Sequence, residues 1–466
     1  MEEKQINMRQ YKLFFTFLLH TPPLYATIIS KLINHMGVSP ETEKCMITKQ
    51  RIDYYVGILK DELVPAMGCT EPIAIAYASA KARATLGSFP TSCEIAVSGN
   101  IIKNAKSVVV PHTGGMKGIE AAVVAGLVGG NADARLEVLS FVSNEDIYRM
   151  QKVIKTLPVT VTLADSEYPF DIQVTVRDGR NNASVRITNR HTNIVSIKKN
   201  GKSLYKGEIN EEIEIKKKDL SIEEIVEFAD NVDIDCVRST LKRQIDFNMA
   251  IAEAGLNNNY GANIGKVYLE SYLPDISVKA KAYAAAGSDA RMNGCELPVI
   301  INSGSGNQGM TASIPVIIYW RELGLDEEKL YRALCVSNLC TIRVKQGIGT
   351  LSAYCGAVAA GAGAGAGIAY LHGGGFKDVA HTLVNALAID SGLICDGAKA
   401  SCAAKIATAV ENGILGFNLY RSGNQFLGGD GIVKKGVENT IESVSRLAKD
   451  GMRDTDKAIL EIMMNK

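Results

Sequence analysis

The spacing of apolar positions changes twice along the chain, and these changes divide the sequence into regions. From Ile52 to Leu63 apolar residues recur at helical spacing, and Pro65 ends the predicted helix. After a turn at Gly68–Pro72, the alanine-rich run Ile73–Ala84 is again typical of a helix. We therefore predict that residues 46–88 form a helical segment that joins the core of the protein.

Residues 89–217 show short alternating runs instead. Strands are predicted at Glu94–Val97, Ser107–Val110, Leu136–Val142, Val159–Leu163, Ile172–Val176, Ser184–Thr188 and Ile194–Lys198, and helices at Met116–Gly129 and Asn144–Lys155. Asp178-Gly179 and Asn200-Gly201 mark turns between strands. This pattern indicates an inserted α+β domain that contains antiparallel hairpins.

Residues 218–466 return to helical spacing, interrupted by glycine-rich loops at Asn258–Gly265, Asn302–Gly309 and Gly373–Gly375. The predicted fold class is α+β, with a mainly helical core built from the N-terminal helices and the C-terminal half, around the inserted domain. Residues 1–45 are poorly patterned, so we interpret them as an N-terminal extension.

The composition of the chain argues against two classes of binding partner, nucleic acids and membranes. A formal net charge of +1 over 466 residues gives no electrostatic reason to expect nucleic acid or a membrane surface. The run Tyr354–Leu371 is 18 uncharged residues long, close to a membrane span, but glycine and alanine dominate it. A buried helix with a small-residue face is the better interpretation.

Ten cysteines are too few for a disulfide-stapled fold of this length. The apolar run at residues 13–19 is cut short by His20 and Pro22-Pro23, and no clear cleavage site follows it. We therefore expect a cytoplasmic protein with reduced thiols, whose cysteines are metal-binding, catalytic or simply buried.

Three C-terminal cysteines have small neighbours. Cys395 and Cys402 lie seven positions apart in CDGAKASC, and Cys355 precedes Cys395 by 40 positions in YCGAVAAG. Thiolates are the usual ligands of iron–sulfur clusters, and small flanking residues leave room for one. The spacing matches neither ferredoxin pattern, so ordinary core cysteines remain the alternative on spacing alone.

Longer motifs favour the metal-binding interpretation of these cysteines over the interpretation as ordinary core cysteines. VPAMGCTEP around Cys69, NSGSGNQGM at Asn302–Met310, and the pair YCGA and ICDGAKASC together resemble the L-cysteine desulfidase family. The C-terminal part more distantly resembles the α-domain of iron–sulfur L-serine dehydratases. The resemblance covers the chain from about Met46 to its end.

This resemblance implies one 4Fe–4S cluster per subunit, held by three cysteines with one iron left open. Matched motif by motif, the ligands would be Cys355, Cys395 and Cys402, which makes residues 218–466 the iron–sulfur catalytic domain. The proton acceptor in the GCTEP turn would be Cys69. The nearby Cys295, Cys335 and Cys340 leave the ligand set open to question.

A cysteine acts as a base only if its pKa falls towards neutrality. Cys69 lies just before a predicted helix start near Pro72, whose backbone amides can stabilise a thiolate. A structural turn cysteine is the alternative. Glu71 is either a second acid–base group or a charge that favours the helix N-terminus.

The loop Asn302–Gly309 carries a hydroxyl or an amide at every position that is not glycine. Its candidate substrate-binding residues are Asn302, Ser303, Ser305, Asn307 and Gln308. Such a loop can present donors to a carboxylate, although a plain polar turn has the same composition. Further candidates for binding an anion are His112–Gly115, Arg343 and Lys345.

The leading hypothesis is an iron–sulfur lyase that converts L-cysteine to pyruvate, ammonia and hydrogen sulfide. The alternatives are an iron–sulfur L-serine dehydratase, a pyridoxal-phosphate lyase using Lys399 or Lys345, and a cluster-bearing sensor without enzymatic activity. The partner is a small-molecule amino acid, and a homo-oligomer stays an open alternative. L-Cysteine and L-serine differ by one atom, so the sequence does not separate them.

Overall fold

The computed structural model describes residues 47–208, 219–349 and 351–464, and the predicted extension over residues 1–45 lies outside these ranges. The helices are α1 Lys49–Glu62, α2 Thr70–Leu86, α3 Gly99–Ala105, α4 Ile119–Gly129, α5 Asn144–Thr156, α6 Ile222–Asn231, α7 Asp235–Asn257, α8 Ile264–Ser271, α9 Ile276–Met292, α10 Gly306–Leu323, α11 Glu327–Ile348, α12 Gly356–Leu371, α13 Phe376–Ile389, α14 Cys402–Arg421, α15 Val437–Arg446 and α16 Arg453–Met464. The strands are β1 Pro65–Met67, β2 Ser92–Val97, β3 Val159–Leu163, β4 Asp171–Arg177, β5 Asn182–Thr188, β6 Ile194–Lys199, β7 Lys202–Lys206 and β8 Pro298–Ile300.

Helix α12 lies at the centre of the helical core, packed against α10, α11, α13 and α14. Its glycines let neighbouring backbones touch. A Cβ at Gly361 would lie 2.2 Å from the carbonyl oxygen of Ala409, and one at Gly365 would lie 2.4 Å from that of Gly413. The expected buried helix with a small-residue face is therefore confirmed. No helix in the described ranges is both long enough and apolar enough to cross a membrane.

The inserted region forms a six-stranded sheet in the order β3-β2-β4-β5-β6-β7. Strands β2 and β3 pair in parallel, and every other pair is antiparallel. The predicted turns at Asp178-Gly179 and Asn200-Gly201 connect β4 to β5 and β6 to β7. Helix α2, which the sequence placed with the helical core, packs on α4 and on strands β4 and β5. The α+β fold class with a helical core is confirmed.

Two predicted strands are wrong. Ser107–Val110 contributes only an isolated bridge between Val109 and Lys117. Leu136–Val142 forms a 3₁₀ turn over Arg135–Glu137 followed by further turns. Leu136, Val138 and Leu139 are buried from turns, whereas Phe141 is 75% exposed, so the alternation of apolar residues imitated the strand pattern without any ladder partner.

A second, two-stranded sheet joins the N-terminal segment to the helical core. Strand β1 pairs antiparallel with β8, with Pro65 opposite Ile300 and Met67 opposite Pro298. Both strands end directly before motifs that the sequence singled out. The pairing therefore brings the GCTEP turn beside the Asn302–Gly309 loop, where the Thr70 hydroxyl donates to the Gly304 carbonyl at 3.0 Å.

The contact between α12 and α14 leads to a stability prediction. Replacing Gly361 by Ala should lower the free energy of unfolding by about 1–3 kcal/mol, because the new methyl group forces two helix backbones apart. Gly57→Ala in α1 is the control: no atom lies within 4 Å of its added Cβ. That control should gain about 0.5–1 kcal/mol from helix propensity. Chemical denaturation measures both, and equal effects would contradict the account.

Candidate active site

Six segments that are far apart in the sequence form the walls of one cavity of about 110 Å³. They are the start of α2, the β5–β6 loop, the end of α9, the loop before α10, the segment before α12 and the segment before α14. Side chains from α3 and α11 complete the lining. Both the inserted domain and the helical core therefore contribute to a single site.

Four helices point their N-termini at this cavity. Cys69, Ser305 and Cys355 are the N-cap residues of α2, α10 and α12, and Cys402 is the first residue of α14. All four residues line the cavity. The unpaired amides and the partial positive charge at helix N-termini favour anions, so the cavity is built to hold thiolates and carboxylates.

The three predicted ligands, Cys355, Cys395 and Cys402, lie on the cavity wall. Each sulfur accepts a hydrogen bond from a backbone N–H: that of Ala357 for Cys355, Gly397 for Cys395 and Lys399 for Cys402.

Cys355 and Cys395 are also hydrogen-bonded to each other. This bond raises the pKa of the Cys355 thiol and, with help from the Lys103 ammonium, lowers the pKa of Cys395 to about 6. Burial raises the pKa of Cys402. The thiolate form is therefore more favourable at Cys395 than at the other two sulfurs.

The donor chemistry of these residues fits an iron–sulfur cluster, whose usual ligands are thiolates. Within the described ranges, no three His, Cys, Asp or Glu side chains surround one point closely enough to hold one ion. Each cysteine of a cluster binds its own iron atom, so the ligands of a cluster need not converge on one point. Amide donors directed at all three sulfurs are the surroundings that cluster thiolates require.

The segment that carries Cys395 rests on α3 and α16. A Cβ at Gly397 would lie 2.3 Å from the Lys103 carbonyl oxygen, so only glycine fits there. The Lys103 ammonium is paired with Asp456 at 2.5 Å, and Asp456 also accepts from the Ala353 amide at 3.0 Å. The Cys395 amide in turn donates to the Ala353 carbonyl at 2.6 Å. The C-terminal helix therefore braces two cysteine segments at once.

Cys69 does not have the low pKa that the sequence led us to expect. Burial raises the pKa of its thiol well above the usual range, and the Glu71 carboxylate adds to the rise. The thiol donates to Glu71 Oε2 at 3.1 Å, and the Thr70 hydroxyl donates to the same oxygen at 3.1 Å. The helix N-terminus is present, but it does not outweigh burial beside a carboxylate. Cys69 is therefore a thiol with a proton acceptor in contact.

The Asn302–Gly309 loop reaches the cavity through four of its five predicted residues, Ser303, Ser305, Asn307 and Gln308. Asn302 does not line the cavity. Its side-chain amide is buried and donates to both oxygen atoms of Asn338. The first residue of the motif thus anchors the loop to α11, and the following residues face the cavity.

The sequence reasoning missed several cavity-lining residues, among them His191 and Arg291. His191 comes from the β5–β6 loop; its ring packs edge-on against Phe170, and its Nε2 is buried without a hydrogen-bond partner among the described residues. Burial lowers the pKa of His191, so it is neutral at pH 7. Arg291 lies at the end of α9 and is 2% exposed. A lone histidine in a hairpin and an arginine in an alanine-rich helix gave no usable signal.

Most of the other candidate side chains from the sequence analysis lie outside the cavity. Lys345 lines the cavity and donates to the Gly349 carbonyl. Five other side chains that the sequence singled out are Cys295, Cys335, Cys340, Arg343 and Lys399. None of these five lines the cavity. Arg343 pairs with Glu438 and Lys399 with Asp396. His112 also lies outside the cavity and faces Glu296 at 3.4 Å.

Three cysteines and a hydrogen-bonded Cys–Glu pair therefore line the same cavity. The family model of the serine dehydratase alpha chain matches residues 133–461. The chain therefore belongs to that family, and the predicted relation to the serine dehydratase α-domain is confirmed. The match includes the three cysteines and Arg291, but neither Cys69 nor Glu71.

Curated relatives extend the likeness to 88–90% of the chain. The UPF0597 protein of Desulfitobacterium hafniense is 56% identical over 414 residues, which are 88% of this chain and 96% of the relative. That of Lachnoclostridium phytofermentans is 51% identical over 412 residues, 88% of this chain and 99% of the relative. That of Treponema denticola is 46% identical over 427 residues, 90% and 99% respectively. The chain belongs to this group of proteins as well.

The cysteine geometry predicts the effect of single replacements on metal content. Protein reconstituted under nitrogen should hold about four irons per chain. Replacing Cys355, Cys395 or Cys402 by Ala should each remove most of that iron, because a sulfur on the cavity wall is lost. Cys295→Ala is the matched control, a buried cysteine outside the cavity, and should keep the wild-type content. Iron and acid-labile sulfide assays measure it; wild-type content in all three variants would refute the assignment.

Proposed function

We propose that this protein is an iron–sulfur-dependent lyase that converts L-cysteine to pyruvate, ammonia and hydrogen sulfide by α,β-elimination. The supporting observation is one cavity that combines three amide-solvated cysteine sulfurs with a hydrogen-bonded Cys69–Glu71 pair. The family relation to the serine dehydratase alpha chain supports a lyase of the iron–sulfur type.

The cluster ligands in this proposal are Cys355, Cys395 and Cys402. With these three ligands, a 4Fe–4S cluster bound here would keep one iron open, and it would supply Lewis-acid chemistry to the leaving group. The chain itself provides the backbone N–H donors that solvate the sulfurs. The ammonium groups of Lys103 and Lys405 lie close enough to help lower the pKa of Cys395.

Proton removal from Cα is assigned to Cys69. The thiol must first lose its own proton, and the Glu71 carboxylate at 3.1 Å is the acceptor in place for it. The nearby Arg291 guanidinium favours the thiolate, because its charge lowers the pKa of Cys69, which burial and the Glu71 carboxylate raise. The resulting thiolate can take the α-proton. This is a more specific role for Glu71 than a charge at a helix N-terminus.

The overall reaction balances without an external oxidant or reductant. Loss of the α-proton and departure of the β-sulfur as hydrogen sulfide leave aminoacrylate. Water then converts aminoacrylate to pyruvate and ammonia. The loop residues Ser303, Ser305, Asn307 and Gln308 provide hydroxyl and amide groups that position the substrate in the cavity.

L-Serine is the second candidate substrate, because the matched family model is that of a serine dehydratase. The reaction would then release water in place of hydrogen sulfide. A soft thiolate suits iron better than a hydroxyl does, which favours L-cysteine. We expect kcat/KM under nitrogen to be higher for L-cysteine, measured as sulfide and pyruvate release. Absence of elimination from both amino acids with the cluster intact would instead favour a sensor.

The Cys69–Glu71 pair predicts a catalytic defect without loss of the cluster. Cys69→Ser and Glu71→Gln should each lower kcat by about 10²-fold or more, because each removes one step of proton transfer. Iron content should stay at the wild-type value, since neither residue is an assigned ligand. Steady-state kinetics with parallel iron assays test this. Wild-type kcat in Cys69→Ser would remove Cys69 from the mechanism.

A further inference from the structure

Arg291 is a buried cation whose charge has no counter-ion among the described residues. It is 2% exposed and lines the cavity. Its Nη1 donates to Asn307 Oδ1 at 3.0 Å. Its Nε and Nη2 are buried and have no hydrogen-bond partner in the part of the chain that the structure describes. One edge of the guanidinium is therefore held in place, and the other edge is unused.

This arrangement is costly for the ligand-free protein. An arginine stays protonated at any relevant pH, so it cannot relieve burial by losing its proton as a lysine can. Glu71, the acidic side chain on the same cavity wall, is already bonded to Cys69 and Thr70. An unpaired buried charge is rarely kept unless it has a partner that arrives later.

The shape of the unused edge identifies that partner. Nε and Nη2 lie side by side in the guanidinium plane and match the two oxygens of a carboxylate. The group also lies against the first turn of α10, where a Cβ at Gly306 would be 2.4 Å from Arg291 Nε. Glycine at this position lets the guanidinium lie next to a helix N-terminus, so both attract an anion into the same space.

The other cavity-facing cations are already engaged. Lys345 donates to the Gly349 carbonyl; burial lowers the pKa of its ammonium to about 8, although the nearby Cys395 and Cys355 act to raise it. Lys405 donates to the Ile394 carbonyl at 2.7 Å and pairs with Asp396. Both ammonium groups therefore lie beside the segments that carry the cysteines, whereas Arg291 lies beside the Asn302–Gly309 loop.

We propose that Arg291 binds the α-carboxylate of the substrate, which restricts the site to free amino acids with an unmodified carboxylate. The identity of the substrate rests on the proposed function, whereas carboxylate binding by Arg291 can be tested without turnover. Asn307 is a positioning residue in this account, since its side chain holds Nη1 and leaves Nε and Nη2 available.

The test uses L-alanine, which has the carboxylate but no leaving group, and alaninamide, which lacks the carboxylate. Calorimetric titration of the reconstituted protein under nitrogen should show L-alanine binding and much weaker alaninamide binding. Arg291→Met should weaken L-alanine binding by about 100-fold. Arg291→Lys should give an intermediate affinity, because it keeps the charge and loses the planar fork.

Stability separates a binding role from a structural one. Arg291→Met should melt at the same or a higher temperature than wild type, because a buried unpaired charge is removed. Asn307→Asp keeps the arginine but gives it an internal carboxylate. It should also melt no lower and bind L-alanine more weakly. Arg343→Met is the control, since Arg343 is paired with Glu438 away from the cavity and its loss should leave affinity unchanged.

Three results would overturn the inference: wild-type protein that does not bind L-alanine, wild-type protein that binds alaninamide equally well, or wild-type affinity in Arg291→Met. Loss of binding in Lys345→Met alone would assign the carboxylate to Lys345. L-Alanine binding without any elimination activity would refute the proposed function and leave the inference standing. Elimination activity of the wild-type protein, together with unchanged affinity and KM in Arg291→Met, would support the proposed function and refute the inference about Arg291.

Discussion

Four helix N-termini meet at one buried point, and the positive potential they create there governs much of the structure around it. In an empty protein interior such a centre is unfavourable for two reasons. The backbone amides at the helix N-termini lack hydrogen-bond partners, and their electric field favours a negative charge that burial disfavours. The sulfurs of Cys355, Cys395 and Cys402 provide part of the hydrogen-bond acceptors and negative charge that this centre favours. A substrate carboxylate beside Arg291 would satisfy the rest. On this account, the cavity is a preorganised anion site whose stability is completed by what it binds.

The remaining architecture holds those N-termini in place. The close backbone contact of α12 with α14, which glycine permits at Gly361 and Gly365, fixes two of the four helices relative to each other. The β1–β8 pair fixes the other two, because α2 and α10 each follow one of its strands. The inserted domain adds His191 and the α3 support for the Cys395 segment. The inserted domain therefore lines the candidate site together with the helical core.

The sequence predicted features that depend on local pattern. Hairpin turns such as Asn200-Gly201 and the glycine–alanine helix follow from backbone preferences of single residues, and the structure has them. The positions of Cys355, Cys395 and Cys402 came from motifs, and the fold brings all three to one wall. Leu136–Val142 shows the limit of pattern: buried turn residues can alternate like a strand. Arg291, His191 and the raised pKa of Cys69 depend on tertiary burial, which no local pattern encodes. Glu71 was a recognised candidate, but its contact with the Cys69 thiol required the folded geometry.

The central claim is that three cysteines hold a cluster with one iron open to the substrate. Mössbauer spectroscopy of protein reconstituted with ⁵⁷Fe, recorded before and after L-cysteine is added, tests it most directly. The account predicts that one of the four iron sites of the cubane changes its isomer shift and quadrupole splitting while the other three keep theirs. A spectrum in which no site responds to L-cysteine, or a folded protein that binds no iron at all, would contradict it.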